Sequence, residues 1–142
     1  MPNDAIRTLA IVVNRGTSNN LFQVATLVRA ATALEMAVRV LFRGAAACKL
    51  ARDQIYLDEW SPIYAPILPK IAERLTAADF TDMESFLRDA KEHGDDVQLW
   101  ASRESLNQAG LAPSDLISCI DGSIAEAEFG RLTALANVSL VF

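Results

Sequence analysis

Short apolar runs of strand length alternate along this chain with stretches of helical spacing, and that alternation leaves few architectures open. Residues 6–13 and 138–142 are dense in β-branched and apolar side chains and read as strands buried on both faces. Residues 37–42, 97–101 and 116–120 are three further runs of that kind. Between them, Leu21, Val24, Leu27, Val28, Ala31 and Leu34 recur every three or four positions, which predicts a helix over 20–35 behind the capping-type residues 17–20. Thr81-x-x-Glu84 has capping-box spacing and opens a helix over 83–93 that Gly94 closes, with Phe86, Leu87 and Ala90 as its inner stripe. Ser102 is placed to cap a short helix over 103–109 that ends at Gly110, and Ser123-x-x-Glu126 precedes a helix running to about Ala136. Strands alternating with helices call for right-handed parallel crossovers. The expected fold is a single domain over 1–142, three-layer and α/β, with about five mostly parallel strands flanked by helices. It is flavodoxin-like and doubly wound, in an order such as 2-1-3-4-5.

Residues 45–82 fit this pattern least. They begin with an Ala-rich helix and continue as Tyr56-Leu-Asp-Glu-Trp60-Ser-Pro62-Ile-Tyr64-Ala-Pro66-Ile-Leu-Pro69. Three prolines so close together argue against a regular element, and Tyr56, Trp60 and Tyr64 are costly to leave in water. The segment 54–82 therefore reads as a lid or a subunit contact, or as a loop that packs its aromatics on its own domain.

Composition removes several function classes. Thirteen Lys and Arg against eighteen Asp and Glu give a net charge of −5, with no basic stripe for nucleic acid. Arg29, Glu35 and Arg39 interrupt the best candidate for a membrane-spanning run. Residues 1–4 lack the basic and apolar regions of a secretory signal, and two cysteines suit a reducing compartment. The expectation is a cytoplasmic chain without nucleic-acid or membrane partners.

In an open parallel sheet, ligands sit at the carboxyl ends of the strands. Residues 14–20, 43–48, 102–105 and 121–123 are the corresponding stretches. The single histidine, His93, belongs to a helix end, where it complements the dipole. Without a second histidine, Ser-His-Asp and Cys-His catalysis and His-based zinc sites lose their parts, and neither metal nor cofactor is expected. The loop Asn14-Arg-Gly-Thr-Ser-Asn-Asn has one glycine and no lysine, so it is neither a dinucleotide nor a Walker loop. Its helix N-terminus still suits an anion, which makes Arg15, Gly16, Thr17, Arg43 and Ser102 candidate ligand-binding residues. Asp95-Asp96 and Asp58-Glu59 read as solvated turn and loop. Cys119, inside an apolar run, reads as a small buried hydrophobe. Cys48 follows Arg43-Gly44 and precedes Lys49, a setting that lowers thiol pKa values, and it is the candidate catalytic residue.

Three stretches carry a resemblance. Residues 30–42 (Ala-Ala-Thr-Ala-Leu-Glu-Met-Ala-Val-Arg-Val-Leu-Phe) resemble a helix-to-strand passage of the DsrE/DsrF-like family. So do residues 97–111, from Val97-Gln-Leu-Trp-Ala-Ser102 to Gly110-Leu, and the tail with Asp115-Leu-Ile and Gly122-Ser-Ile-Ala-Glu-Ala-Glu-Phe. The resemblance implies a small α/β subunit that forms homotrimers or homohexamers and acts in sulfur relay. In its sulfur-carrying members a persulfide forms on a cysteine just after the third strand, at the start of the next helix, and passes to a partner thiol. The matching position here is Ser102, which cannot carry sulfane sulfur. The expected function is therefore a binding or assembly subunit related to sulfur-relay proteins. Two alternatives stand beside it: a persulfide carrier using Cys48 and a sulfur-carrier protein as partner, or a small anionic-ligand binding module.

Overall fold

The computed structural model describes residues 6–80 and 82–142. The apolar runs pair side by side because parallel pairing satisfies their backbone groups while helices cover their faces. Strands β1 (Thr8–Val13), β2 (Ala37–Phe42), β3 (Val97–Ser102), β4 (Gly122–Ile124) and β5 (Val138–Val141) form one parallel sheet ordered β4-β3-β2-β1-β5. The helices are α1 (Ser18–Ala33), α2 (Ala45–Lys49), α3 (Leu68–Ala77), α4 (Met83–Glu92), α5 (Arg103–Ala109) and α6 (Glu126–Leu132). The architecture is the expected three-layer α/β fold; the strand order is not the expected 2-1-3-4-5. From β1 to β4 the chain advances across the sheet in one direction, then returns past three strands to set β5 outside β1. Right-handed crossovers accordingly put the earlier helices on one face and α6 on the other.

The side-chain alternation agrees. Leu9, Ile11, Val13, Val38, Val40, Phe42 and Leu99 point into the main core, with Leu21, Val24 and Val28 of α1 and Phe86 and Leu87 of α4. The opposite face holds a smaller cluster of Leu41, Ile124 and Phe129, with Val12 and Trp100 packed against it. Residues 138–142 were expected to be buried on both faces, yet β5 is an exposed edge strand. Val138 and Leu140 lie on the face of Leu9 and Ile11, with Leu140 against the main core, and Val141 lies with Val12 on the thinly covered face.

Residues 116–120 are not a strand. Leu116 makes an isolated antiparallel bridge to Ala51, the Ile117 amide donates to the Leu50 carbonyl at 3.0 Å, and the chain turns before β4. These residues are apolar because Leu116, Ile117 and Cys119 fill the core beside α2. Ser123 lies in β4 and does not cap the next helix; α6 starts at Glu126 without a side-chain cap and stops at Leu132. Thr81 lies outside the described residues, as do residues 1–4. At α4 the capping box is made by Asp82 and Ser85, the Ser85 amide donating to Asp82 Oδ1 at 2.8 Å.

The proline-rich segment contains more helix than expected. Pro62 begins a single 3-10 turn, Pro62–Tyr64, and Pro69 sits in the first turn of α3, positions where the missing N–H costs nothing. Its aromatics pack mainly on their own domain. Trp60 lies tilted against Phe22 and Tyr64 with ring centroids 6.1 and 5.7 Å apart, and the Tyr56 hydroxyl donates to Glu84. That bond to a carboxylate holds the Tyr56 phenol above its usual pKa. Among the described residues no helix is long and apolar enough to cross a membrane.

Candidate functional site

Two groups of polar side chains occupy the carboxyl edge of the sheet, and they meet at Asn14. The first is built on the ends of β1, β2 and β3 and the start of α6. Ser102 is fully buried; its hydroxyl donates to Glu126 Oε2 at 2.7 Å and accepts the Ser105 amide at 3.1 Å, the N-cap bond of α5. Arg43 Nε donates to the other Glu126 oxygen at 3.0 Å, and its Nη1 donates to Asn14 Oδ1 at 2.8 Å. The Ser105 hydroxyl accepts the Gly44 amide at 2.8 Å, and Glu104 accepts the Glu126 amide at 3.1 Å. Ser102 is thus engaged within the chain, while Arg43 and Glu126, its more exposed partners, border a groove beside α6.

The second group lines a depression of about 730 Å³ between the loop after β1, α2 and the end of α5. Arg15, Gly16, Thr17, Cys48 and Lys49 all contribute to it. Gly16 is there for close packing: a Cβ would stand 2.7 Å from the Ala45 carbonyl oxygen of α2. Arg15 is exposed and Cys48 is partly exposed. Lys49 is only 5% exposed, and its ammonium donates to Glu59 Oε1 at 3.0 Å and to the Leu57 carbonyl. Such a buried cation holds its place only with partners of this kind.

The same segment closes over the start of α1. The Ser18 amide donates to the Glu59 carbonyl at 2.9 Å, the Glu59 amide to Ser18 Oγ at 2.9 Å, and the Ser61 amide to Asn19 Oδ1 at 3.0 Å. One amide of the helix terminus considered for an anion, that of Ser18, is thus already met by the Glu59 carbonyl. Thr17 Oγ1 lies buried in the wall of the depression and makes no hydrogen bond among the described residues.

Of the candidate ligand residues, the structure brings Arg15, Gly16 and Thr17 together with Cys48, and sets Arg43 and Ser102 apart around Glu126. Cys119 is buried beneath α4, and burial pushes its thiol up to about 11, with Lys91 pulling it down and Glu84 adding to the rise. It stays protonated at neutral pH. His93 caps α4 and its Nδ1 lies 2.8 Å from Thr32 Oγ1, so its place is fixed by a hydrogen bond as well as by the dipole. The two acidic pairs are less idle than a solvated reading allows. Asp96 is bonded by both Arg39 Nη atoms at 2.9 Å, and Glu59 by Lys49.

Glu126 and Lys49 carry the two clusters, and neither was singled out as a site residue. Placing a strand at 116–120 put the carboxyl edge at 121–123; with β4 at 122–124, the edge falls at Ala125 and Glu126. Asp121 instead lies at the amino end of β4, held by Lys91 at 2.5 Å and by the Leu99 amide at 2.7 Å. For Lys49 the available signal was its place in an Ala-rich turn between apolar residues, where a lysine is buried only if paired.

Fold and site together define a three-layer α/β protein with a five-stranded parallel sheet whose carboxyl edge is closed on one side and open on the other. A solved structure of similar fold is a protein of unknown function, MTH1491 from Methanobacterium thermoautotrophicum. The match has a TM-score of 0.58 at 12% identity and covers 90% of this chain and 89% of that one. At that identity the likeness establishes shared fold. No protein-family model matches the sequence, and no curated protein is significantly similar to it.

Proposed function

We propose that this protein is a DsrE/DsrF-like subunit, related to sulfur-relay proteins, that acts by binding or assembly and does not carry persulfide at position 102. The observation that supports this reading is the state of Ser102: buried, bonded to Glu126 and to the Ser105 amide, and without a thiol. Self-association into a homotrimer or homohexamer is part of the proposal. Its support is the β5 edge of the sheet, where Leu135 in the turn before the strand is 95% exposed, Val141 is exposed on the thinly covered face with Val12, and Val138 is exposed on the face of Leu9. Exposed apolar side chains gathered in this way favour a protein contact. Light scattering at tens of micromolar should give a trimeric or hexameric mass that Leu135→Asp with Val141→Asp reduces. A monomeric wild-type mass overturns the assembly reading. Ser102→Cys should take up no sulfur from polysulfide in the folded protein; uptake there would overturn the structural role given to Ser102.

A second reading is favoured by one observation: Cys48 is partly exposed on the depression that Arg15 and Lys49 also line. On this reading Cys48 carries sulfane sulfur to a carrier protein. Polysulfide treatment should then raise the protein mass by one sulfur atom in the wild type and not in Cys48→Ala. An unchanged wild-type mass removes it.

A further inference from the structure

Away from the sheet edge, the segment 54–82 encloses a cavity with its own chemistry. Helix α3 has no fully buried side chain; Leu68, Ile71 and Leu75 are half-buried and face α1 and α4 across a space of about 310 Å³. That volume is at the small end of the range for small-molecule sites, about 300–1,000 Å³. The opposite wall is aromatic. Phe22 and Phe86 stack with centroids 5.2 Å apart, Phe80 meets Phe86 edge-on at 5.1 Å, and Trp60 closes one end against Phe22.

Among the described residues the ionisable groups lining this space are Asp58 and Asp82, and no Lys, Arg or His side chain joins them. Asp82 caps α4, so together with Glu84 it already answers the positive end of that helix. The lining thus combines aromatic side chains, whose faces attract cations, with two carboxylates. An anion of the same size would meet only like charge.

We propose that the cavity between α3 and the Phe22–Phe86–Trp60 wall binds a small organic ammonium compound with an aromatic or branched apolar body. The apolar body displaces water from the space beneath α3, and the ammonium group lies toward Asp58. Such a ligand joins α3 to the rest of the domain by filling the gap that its own side chains leave. This inference is independent of the assembly proposal, since it uses neither the α6 face nor the sheet edge.

Trp60 lines the cavity and is one of two tryptophans, so Trp100→Phe leaves its emission as the reporter. Titration with phenethylammonium should change that emission saturably, and thermal shift of the wild-type protein should rise in parallel. Three-phenylpropionate, with a similar body and opposite charge, should do neither, and ethylammonium, which lacks the body, should bind far more weakly. Asp58→Asn should weaken phenethylammonium binding about tenfold, the scale expected for losing a charge-assisted contact. Ala72→Phe, on the exposed side of α3 at the cavity, should block it. Equal binding of the propionate, indifference to both substitutions, or no saturable change up to millimolar phenethylammonium in emission and melting alike would overturn the assignment.

Discussion

The two faces of the sheet differ in how they are covered. On one, α1 and α4 lie across β1, β2 and β3, and the side chains between them form a continuous buried core. On the other, the seven-residue α6 covers a three-residue cluster and leaves a groove of about 370 Å³ between Phe129, Val12 and Val141. The cause is topological. Three successive crossovers advance the same way and place their helices on one face, while only the return crossover visits the other. Stability is therefore concentrated on the first face, and the capacity for contact is concentrated on the second.

Substitutions can break that contrast. Leu21→Ala, at a fully buried position under α1, should cost about 2–5 kcal/mol in urea unfolding. A cost below about 1 kcal/mol would mean that the helical face is not the stabilising one. Alkaline pH tests the same side through Cys119, whose pKa lies near 11 against an ordinary value of 9.0. Because the folded state keeps the thiol protonated longer than the unfolded state does, its contribution is complete below pH 9. It is lost as pH rises toward 11, by up to about 2–3 kcal/mol. Cys119→Ala should flatten the stability profile over that interval. Gly94→Ala would place a Cβ 2.3 Å from Thr32 Cγ2 of α1, and the forced shift should cost about 1–3 kcal/mol.

At the seam between the faces, Ser102→Ala removes the α5 N-cap and one partner of Glu126, and should lower stability by about 1 kcal/mol. In the turn between α6 and β5, Leu135→Ser should change unfolding of the isolated chain by less than about 0.5 kcal/mol while lowering the assembled mass in light scattering. A large loss of folding stability there would show that α6 and β5 support the domain as strongly as α1 does.

Much of the fold was legible because local patterns and tertiary demands agree. The run at 37–42 is β2 without adjustment, and the helix at 103–109 with Ser102 before it and Gly110 after it is α5 as read. In each, spacing and end residues point the same way as burial does. Legibility failed where one apolar pattern serves two purposes. Residues 116–120 look like a strand because they fill the core, and mistaking them for one moved the expected sheet edge past Glu126. Residues 138–142 look doubly buried, yet an edge strand, covered on one side only by β1, can carry the same side chains. The prolines of 62–69 seemed to forbid helix because their effect depends on position, and two of them fall in first turns.

The sequence by itself determined the class of protein: alternating periodicities of about 2 and 3.6 leave a parallel sheet with helical crossovers as the way to bury these apolar faces. It also determined that a serine stands at position 102, between the third strand and the helix it caps. Only the tertiary structure decided the strand order, and with it which face stays open. Only the tertiary structure divided the candidate ligand residues between a hydrogen-bonded Ser102–Glu126–Arg43 cluster and an open depression beside Cys48. The physical reason is that side-chain periodicity records whether a residue is buried, whereas its neighbours across the sheet are chosen by long-range pairing that leaves no local trace.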